Sequence, residues 1–228
     1  MPIDFQTSER AVEIPPAGLI GDLTVPVNAH GVVVFAHGSG SSRRSPRNKF
    51  VAGFLQDRNF ATLLLDLLTD DEEQVDLRTG HLRFDVNLLA KRLVQATCWI
   101  ADNSQTGRLP MGYFGASTGA AAALIAAAQA PGPIRGIVSR GGRPDLAGIS
   151  LPKVKAPTLL IVGGHDYSVI DLNEKALKEL QCEKRLEIVP GATHLFEEPG
   201  TLERVADLAS NWFENHLSVE RRNTGNVR

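Results

Sequence analysis

The sequence predicts an α/β fold in which a mostly parallel central sheet carries helices on both faces. Three observations point to it. Short β-branched runs recur along the chain, helix-period segments lie between them, and glycine-rich turns follow several of the runs. Strand–helix–strand alternation implies βαβ units. Strands that are continuously apolar, rather than alternating, suit a sheet covered on both sides.

Taken in order, residues 10–27 hold two short β-like runs around Pro15-Pro16-Ala17-Gly18, which predict an antiparallel hairpin at a sheet edge. Gly31–Ala36, Ala61–Leu65, Met111–Phe114, Ile134–Ser139 and Thr158–Val162 then read as buried strands. Lys184–Val189 alternates more and belongs nearer an edge. Leu82 to Asn103 brings Phe84, Leu88, Leu89, Val94 and Ile100 to one helical face. The segment after Gly119 is almost all alanine and predicts a helix packed tightly on the sheet. Leu172–Leu180 and Thr201–Leu217 are amphipathic, the latter with Glu203 in its first turn, where the helix dipole favours an acid. Trp99 and Trp212 read as core. Asp66 to His81 reads as a long charged loop and a candidate lid, with Leu67, Leu68 and Leu77 as apolar contacts. Pro152–Pro157 reads as an exposed entry to the next strand. The expectation is one domain over residues 1–228, with a core of about residues 10–217 and a flexible tail at 219–228.

Composition narrows the class. With 24 Lys+Arg against 26 Asp+Glu the formal charge is −2, so nothing draws the chain to nucleic acid or an anionic membrane. Two cysteines, Cys98 and Cys182, make neither a disulfide framework nor a thiolate metal site. The opening MPIDFQTSER lacks the basic and apolar regions of a signal peptide. The longest greasy stretch, Ala120 to Ala130, stops at Pro131, far short of the roughly 20 residues a membrane span needs. These features predict a cytoplasmic protein and leave its oligomeric state open.

Gly115-Ala-Ser-Thr-Gly119 lies between a predicted strand and the alanine helix, the setting in which Gly-x-Ser-x-Gly forms a nucleophile elbow. A sharp turn there lifts the hydroxyl of Ser117 out of the sheet. A serine nucleophile needs a base and an orienting acid. In folds with such an elbow these follow in the order serine, acid, histidine, on loops after later strands. Gly163-Gly-His-Asp166 offers Asp166 and Pro190-Gly-Ala-Thr-His194 offers His194. Asp171 is the rival acid, expected instead as a cap or surface residue, and His165 is expected on a solvated loop. Donors for the oxyanion of acyl transfer are expected at Thr118, the residue after the nucleophile, and at Ser39 in His37-Gly-Ser-Gly-Ser-Ser42. The rival for that loop, a phosphate-binding loop, lacks the Gly-Lys-Ser/Thr ending. His37, His165 and His194 lie on separate loops, so no zinc site and no cofactor are expected.

His-Gly-Ser-Gly, Gly-Ala-Ser-Thr-Gly, Gly-Gly-His-Asp and Gly-Ala-Thr-His together resemble the α/β-hydrolase superfamily, over roughly residues 15 to 217. The chain is most similar there to small dienelactone-hydrolase-like proteins without a separate cap domain. The resemblance implies the α/β-hydrolase fold and an ester-cleaving activity. Dienelactone hydrolases carry a cysteine nucleophile, whereas this chain has Ser117, which favours a serine esterase. His37-Gly-Ser-Gly-Ser-Ser-Arg43 with Ser45-Pro-Arg-Asn48 also resembles a branch of hydrolases found fused to phosphoribosyltransferase domains.

The expectation is therefore a serine hydrolase of small or short-acyl carboxylic esters, with Ser117, Asp166 and His194 as its triad. Lactone or thioester hydrolysis, and a non-catalytic binding role for the fold, are the alternatives. A complete triad argues against the last. Arg43, Arg47 and Arg140 fall on loops at the C-terminal rim of the sheet, where open α/β sheets bind ligands. They are candidates for receiving an anionic part of the substrate. The competing expectation pairs them with Asp70, Asp71, Glu72 or Glu73.

Overall fold

The computed structural model describes residues 8–130, 132 and 134–217. The expected tail at 219–228, and the helix stop at Pro131, lie outside the described residues. Eight strands form one sheet: β1 (Ser8–Ile14), β2 (Leu19–Val25), β3 (Gly31–Ala36), β4 (Phe60–Leu65), β5 (Met111–Ala116), β6 (Ile134–Arg140), β7 (Thr158–Gly163) and β8 (Lys184–Val189). Their order is β1-β2-β4-β3-β5-β6-β7-β8. The predicted hairpin is β1 and β2, antiparallel from Ser8↔Val25 to Ile14↔Leu19, with β2 antiparallel to β4. All remaining pairs are parallel. This is the α/β-hydrolase fold, and no separate cap is evident among the described residues.

Successive side chains of a strand point to opposite faces, so each central strand feeds two cores. Val32, Val34, Leu63, Tyr113, Ile137 and Leu160 face one layer. There they meet α3 (Val86–Asp102) and α4 (Thr118–Gln129). Val33, Phe35, Phe114, Val138 and Ile161 face the other, under α1 (Pro46–Gln56) and α6 (Thr201–Leu217). This two-sided cover explains the continuous apolar runs. At the edge, β8 is largely exposed along Lys184, Arg185 and Ile188, as its alternating pattern predicts. In α4 Ala120–Ala123, Ala126 and Ala127 are buried with Leu124 and Ile125, and small side chains let the helix lie close on the sheet.

Several expectations need correction. Residues 66–81 are not a loop: Asp70–Thr79 is a helix, α2. Its capping box joins Thr69 and Glu72 reciprocally, four acids fill its first turn, and Gly80 closes it in the left-handed conformation (φ 67). Absence of an apolar face masked it. The segment from Leu82 divides into a 3-10 turn, Leu82–Phe84, and α3, because Asp85 caps α3 by accepting from Leu88 N at 3.0 Å. Phe84 thereby falls outside the helix and stays exposed. The stretch before β7 is only partly exposed, since Val154 and Ala156 are buried. Trp212 is core as expected, while Trp99 is half-buried.

Two further elements had no expectation attached. In α1, Ser45 caps the N-terminus and Pro46 starts it, and Asn48, Val51, Ala52 and Leu55 form its buried stripe. Pro144–Lys153 forms 3-10 turns broken at Gly148. Helix α5 (Tyr167–Glu179) begins before the predicted Leu172, directly behind Asp166.

The capping box gives a direct test. Thr69→Ala should weaken α2 by about 1 kcal/mol. Faster amide hydrogen exchange confined to 70–79, without a global fall in stability, is the expected reading.

Candidate active site

Ser117 sits between β5 and α4 with φ 51 and ψ −122, a conformation that is costly for a residue with a Cβ. Neighbouring backbone holds it there: Ser117 N donates to Arg140 O at 3.3 Å, and Arg143 N donates to Ser117 O at 3.0 Å. The flanking glycines are dictated by clearance. A Cβ on Gly115 would stand 2.5 Å from Ala120 Cα, and one on Gly119 would stand 2.3 Å from Ala36 O. Ser117 occupies the N-cap position of α4, yet its hydroxyl caps nothing and has no hydrogen-bond partner among the described residues.

Asp166 follows β7 directly and His194 lies on the loop after β8. The structure brings them together: His194 Nδ1–H donates to Asp166 Oδ2 at 2.6 Å. The carboxylate is mostly buried and the imidazole half-exposed. This bond places the proton on Nδ1 and leaves Nε2 as the basic nitrogen. Glu198 fastens the loop by accepting from Thr193 N at 3.1 Å and Thr193 Oγ1 at 2.6 Å. Those hydrogen bonds hold the Glu198 carboxyl below its usual range. The His194 ring stands over the backbone after β6, where a Cβ on Gly141 would be 3.5 Å from Nδ1. Since Arg140 O holds Ser117 N, elbow and imidazole meet on the same two residues. Asp171 is exposed within α5, and His165 is exposed beside Tyr167.

The two expected oxyanion donors are coupled in a way sequence did not anticipate. Ser39 N donates to Thr118 Oγ1 at 2.9 Å, so the Thr118 side chain occupies the Ser39 donor in this conformation. Thr118 N belongs to the first turn of α4, where N–H groups have no partner within the helix. His37 is a structural strut. Its Nε2 accepts from Leu67 N at 3.1 Å, so Nδ1 carries the proton and donates to Gly38 O at 2.9 Å. Burial pushes the His37 pKa down. A cavity of about 150 Å³ adjoins Gly38–Ser41 and is walled by Leu68, Leu77 and Leu89 with the Asp76–Arg83 pair.

The three arginines diverge. Arg43 binds Asp66 and Asp22, which ties the loop after β3 to the end of β4 and the middle of β2. Arg47 reaches Glu197 at 3.0 Å. Arg140 is 7% exposed; its Nη2 donates to Asn48 Oδ1 at 3.4 Å, and Nε and Nη1 have no partner among the described residues. None of the three pairs with Asp70–Glu73; Glu72 instead binds Arg92 at 2.5 Å. The signal for Asn48 was the Ser-Pro start of α1, which the polar Arg47-Asn48-Lys49 run obscured.

Strand order and the turn after β5 are those of the α/β-hydrolase scaffold. The chain belongs to the dienelactone hydrolase family, whose model matches residues 22–218. It is similar to a dienelactone hydrolase from Anabaena variabilis, with 60% identity and a TM-score of 0.91 over 93% of this chain and 99% of that one. Two Mycobacterium tuberculosis proteins that carry a provisional phosphoribosyl transferase name are 57% identical over 213 residues, 93% of this chain. The chain spans about half, 47%, of the length of those curated relatives. Est1E from Butyrivibrio proteoclasticus shares the fold at 14% identity, with a TM-score of 0.74 over 90% of this chain and 98% of its own. Among the described residues, no helix is long and apolar enough to cross a membrane.

His37 makes stability depend on pH. Its folded pKa lies below the ordinary 6.5, so the unfolded chain takes up the proton first. Its contribution is complete above about 6.5 and is lost as pH falls from there toward the folded pKa, by at most about 1.4 kcal/mol per pH unit. Urea melts at pH 7.5 and 5.5 should show this loss in the native protein and a smaller one in His37→Gln.

Proposed function

We propose that the protein is a serine hydrolase of small carboxylic esters that works through Ser117, His194 and Asp166 and a covalent acyl-enzyme. The observation that carries this reading is the 2.6 Å His194–Asp166 bond together with an unpartnered Ser117 hydroxyl on a strained turn. Asp166 fixes the imidazole tautomer and stabilises the imidazolium. With substrate bound, His194 Nε2 takes the Ser117 proton as Oγ attacks the acyl carbon. The imidazolium then protonates the leaving alcohol. Water, deprotonated by the same nitrogen, releases the acyl group and restores Ser117.

The developing oxyanion lies at the start of α4, where Thr118 N and the helix dipole favour negative charge. Ser39 N is the second donor. It turns from Thr118 Oγ1 to the oxyanion, so the resting hydroxyl keeps that N–H oriented before substrate arrives. The cavity of about 150 Å³ beside Gly38–Ser41 suits a short acyl or alcohol group. Lactones are internal esters open to the same steps, and membership of the dienelactone hydrolase family favours including them as substrates. Two free cysteines, Cys98 and Cys182, fit a cytoplasmic enzyme.

A panel of p-nitrophenyl esters and simple lactones tests the reading. Ser117→Ala should abolish turnover and labelling by a fluorophosphonate probe. Asp166→Asn, which keeps the geometry but not the tautomer, should lower kcat by about 10⁴-fold. Full activity or probe labelling in Ser117→Ala would overturn the assignment.

A further inference from the structure

Arg140 continues the side-chain row of Phe114 and Val138 on the α1/α6 face, at the rim where β5 turns into the elbow. Its guanidinium is buried, and its one bond, to Asn48 Oδ1, is long at 3.4 Å. Nε and Nη1 are orphaned, and so is the buried Nε of the neighbouring Arg47. Buried donors without partners are costly, and charged ones most of all. The surroundings make the imbalance worse. Arg47 adds a second cation, and both arginines stand at the N-terminus of the 11-residue helix α1, the positive end of its dipole. Burial and then Arg47 push Arg140 down to about 10, so it remains charged near neutrality. The only carboxylate bonded to either arginine among the described residues is Glu197, itself largely exposed.

We propose that Arg140, Arg47 and the N-terminal turn of α1 form a phosphate-binding subsite beside Ser117. The two orphaned nitrogens of Arg140 do not share one edge of the guanidinium, and the third belongs to another residue. A planar carboxylate satisfies a single edge; a tetrahedral phosphate spreads its oxygens toward several donors. A phosphate on Arg47 would compete with its ion pair to Glu197, and Glu197 sits three residues after His194 on the same loop. Occupancy is thereby linked to the position of the catalytic imidazole. The site's existence is independent of turnover, whereas its role in substrate choice rests on Ser117 being the nucleophile.

Calorimetry with inorganic phosphate, using wild type and Ser117→Ala, tests the site itself. Phosphate should bind both proteins and bind Arg140→Gln at least tenfold more weakly. Arg47→Gln, at a more exposed position, should show the same direction and guards against misfolding of the first variant. No phosphate binding, binding unchanged in both arginine variants, or adipate bound as tightly as phosphate would overturn the proposal.

Kinetics then separate the sources of the phosphate. For p-nitrophenyl 4-phosphonobutyrate relative to p-nitrophenyl butyrate, the ratio of kcat/KM should fall at least tenfold in Arg140→Gln. It should be unchanged in Arg185→Gln, on the edge strand. That fall supports a phosphate carried on the substrate. Phosphate binding without it supports free inorganic phosphate as the ligand. Phosphate binding to a protein that hydrolyses no ester would reject the Ser117 reading and leave the subsite standing.

Discussion

The approach of the turn at residues 115–119 to the end of β3 constrains everything else in this molecule. Backbone of the elbow passes so near Ala36 O that only hydrogen fits on Gly119, and the first turn of α4 presses likewise on Gly115. Such contact demands that α4 lie flat on the sheet, which its alanines permit. It also forces Ser117 to carry the strain at φ 51. Backbone strain persists only where surroundings over-determine it. Here the bonds to Arg140 O and from Arg143 N do so, and they tie the elbow to β6.

From that anchor the polar groups differ in how many partners they find. His37, Arg43 and Glu198 each hold at least two hydrogen bonds and fix the loops after β3 and β8. Ser117 Oγ and two nitrogens of Arg140 are left without partners among the described residues. Buried polar atoms are usually paired, so each exception calls for an explanation of its own.

Much of this was legible in the sequence because it rested on local rules. Gly-Ala-Ser-Thr-Gly between a strand and an apolar helix, and acid and histidine on later post-strand turns, each declare themselves within a few residues. Helix α2 escaped because its stability resides in caps and dipole rather than an apolar stripe, so periodicity alone saw only charge. Likewise α1 hid its stripe behind Arg47 and Lys49, although Ser45-Pro46 marked its start. The bond from Ser39 to Thr118, and the partners chosen by the arginines, join residues far apart in sequence. No local pattern encodes them; they follow from the sheet order.

The sheet ends on both sides in strands that carry charge outward. On β8 these are Lys184 and Arg185, and on β1 they are Glu9, Arg10 and Glu13. A bare strand edge is a template for pairing with another chain, and charged side chains blunt it. Strand-by-strand polymerisation is therefore discouraged at either end of the sheet.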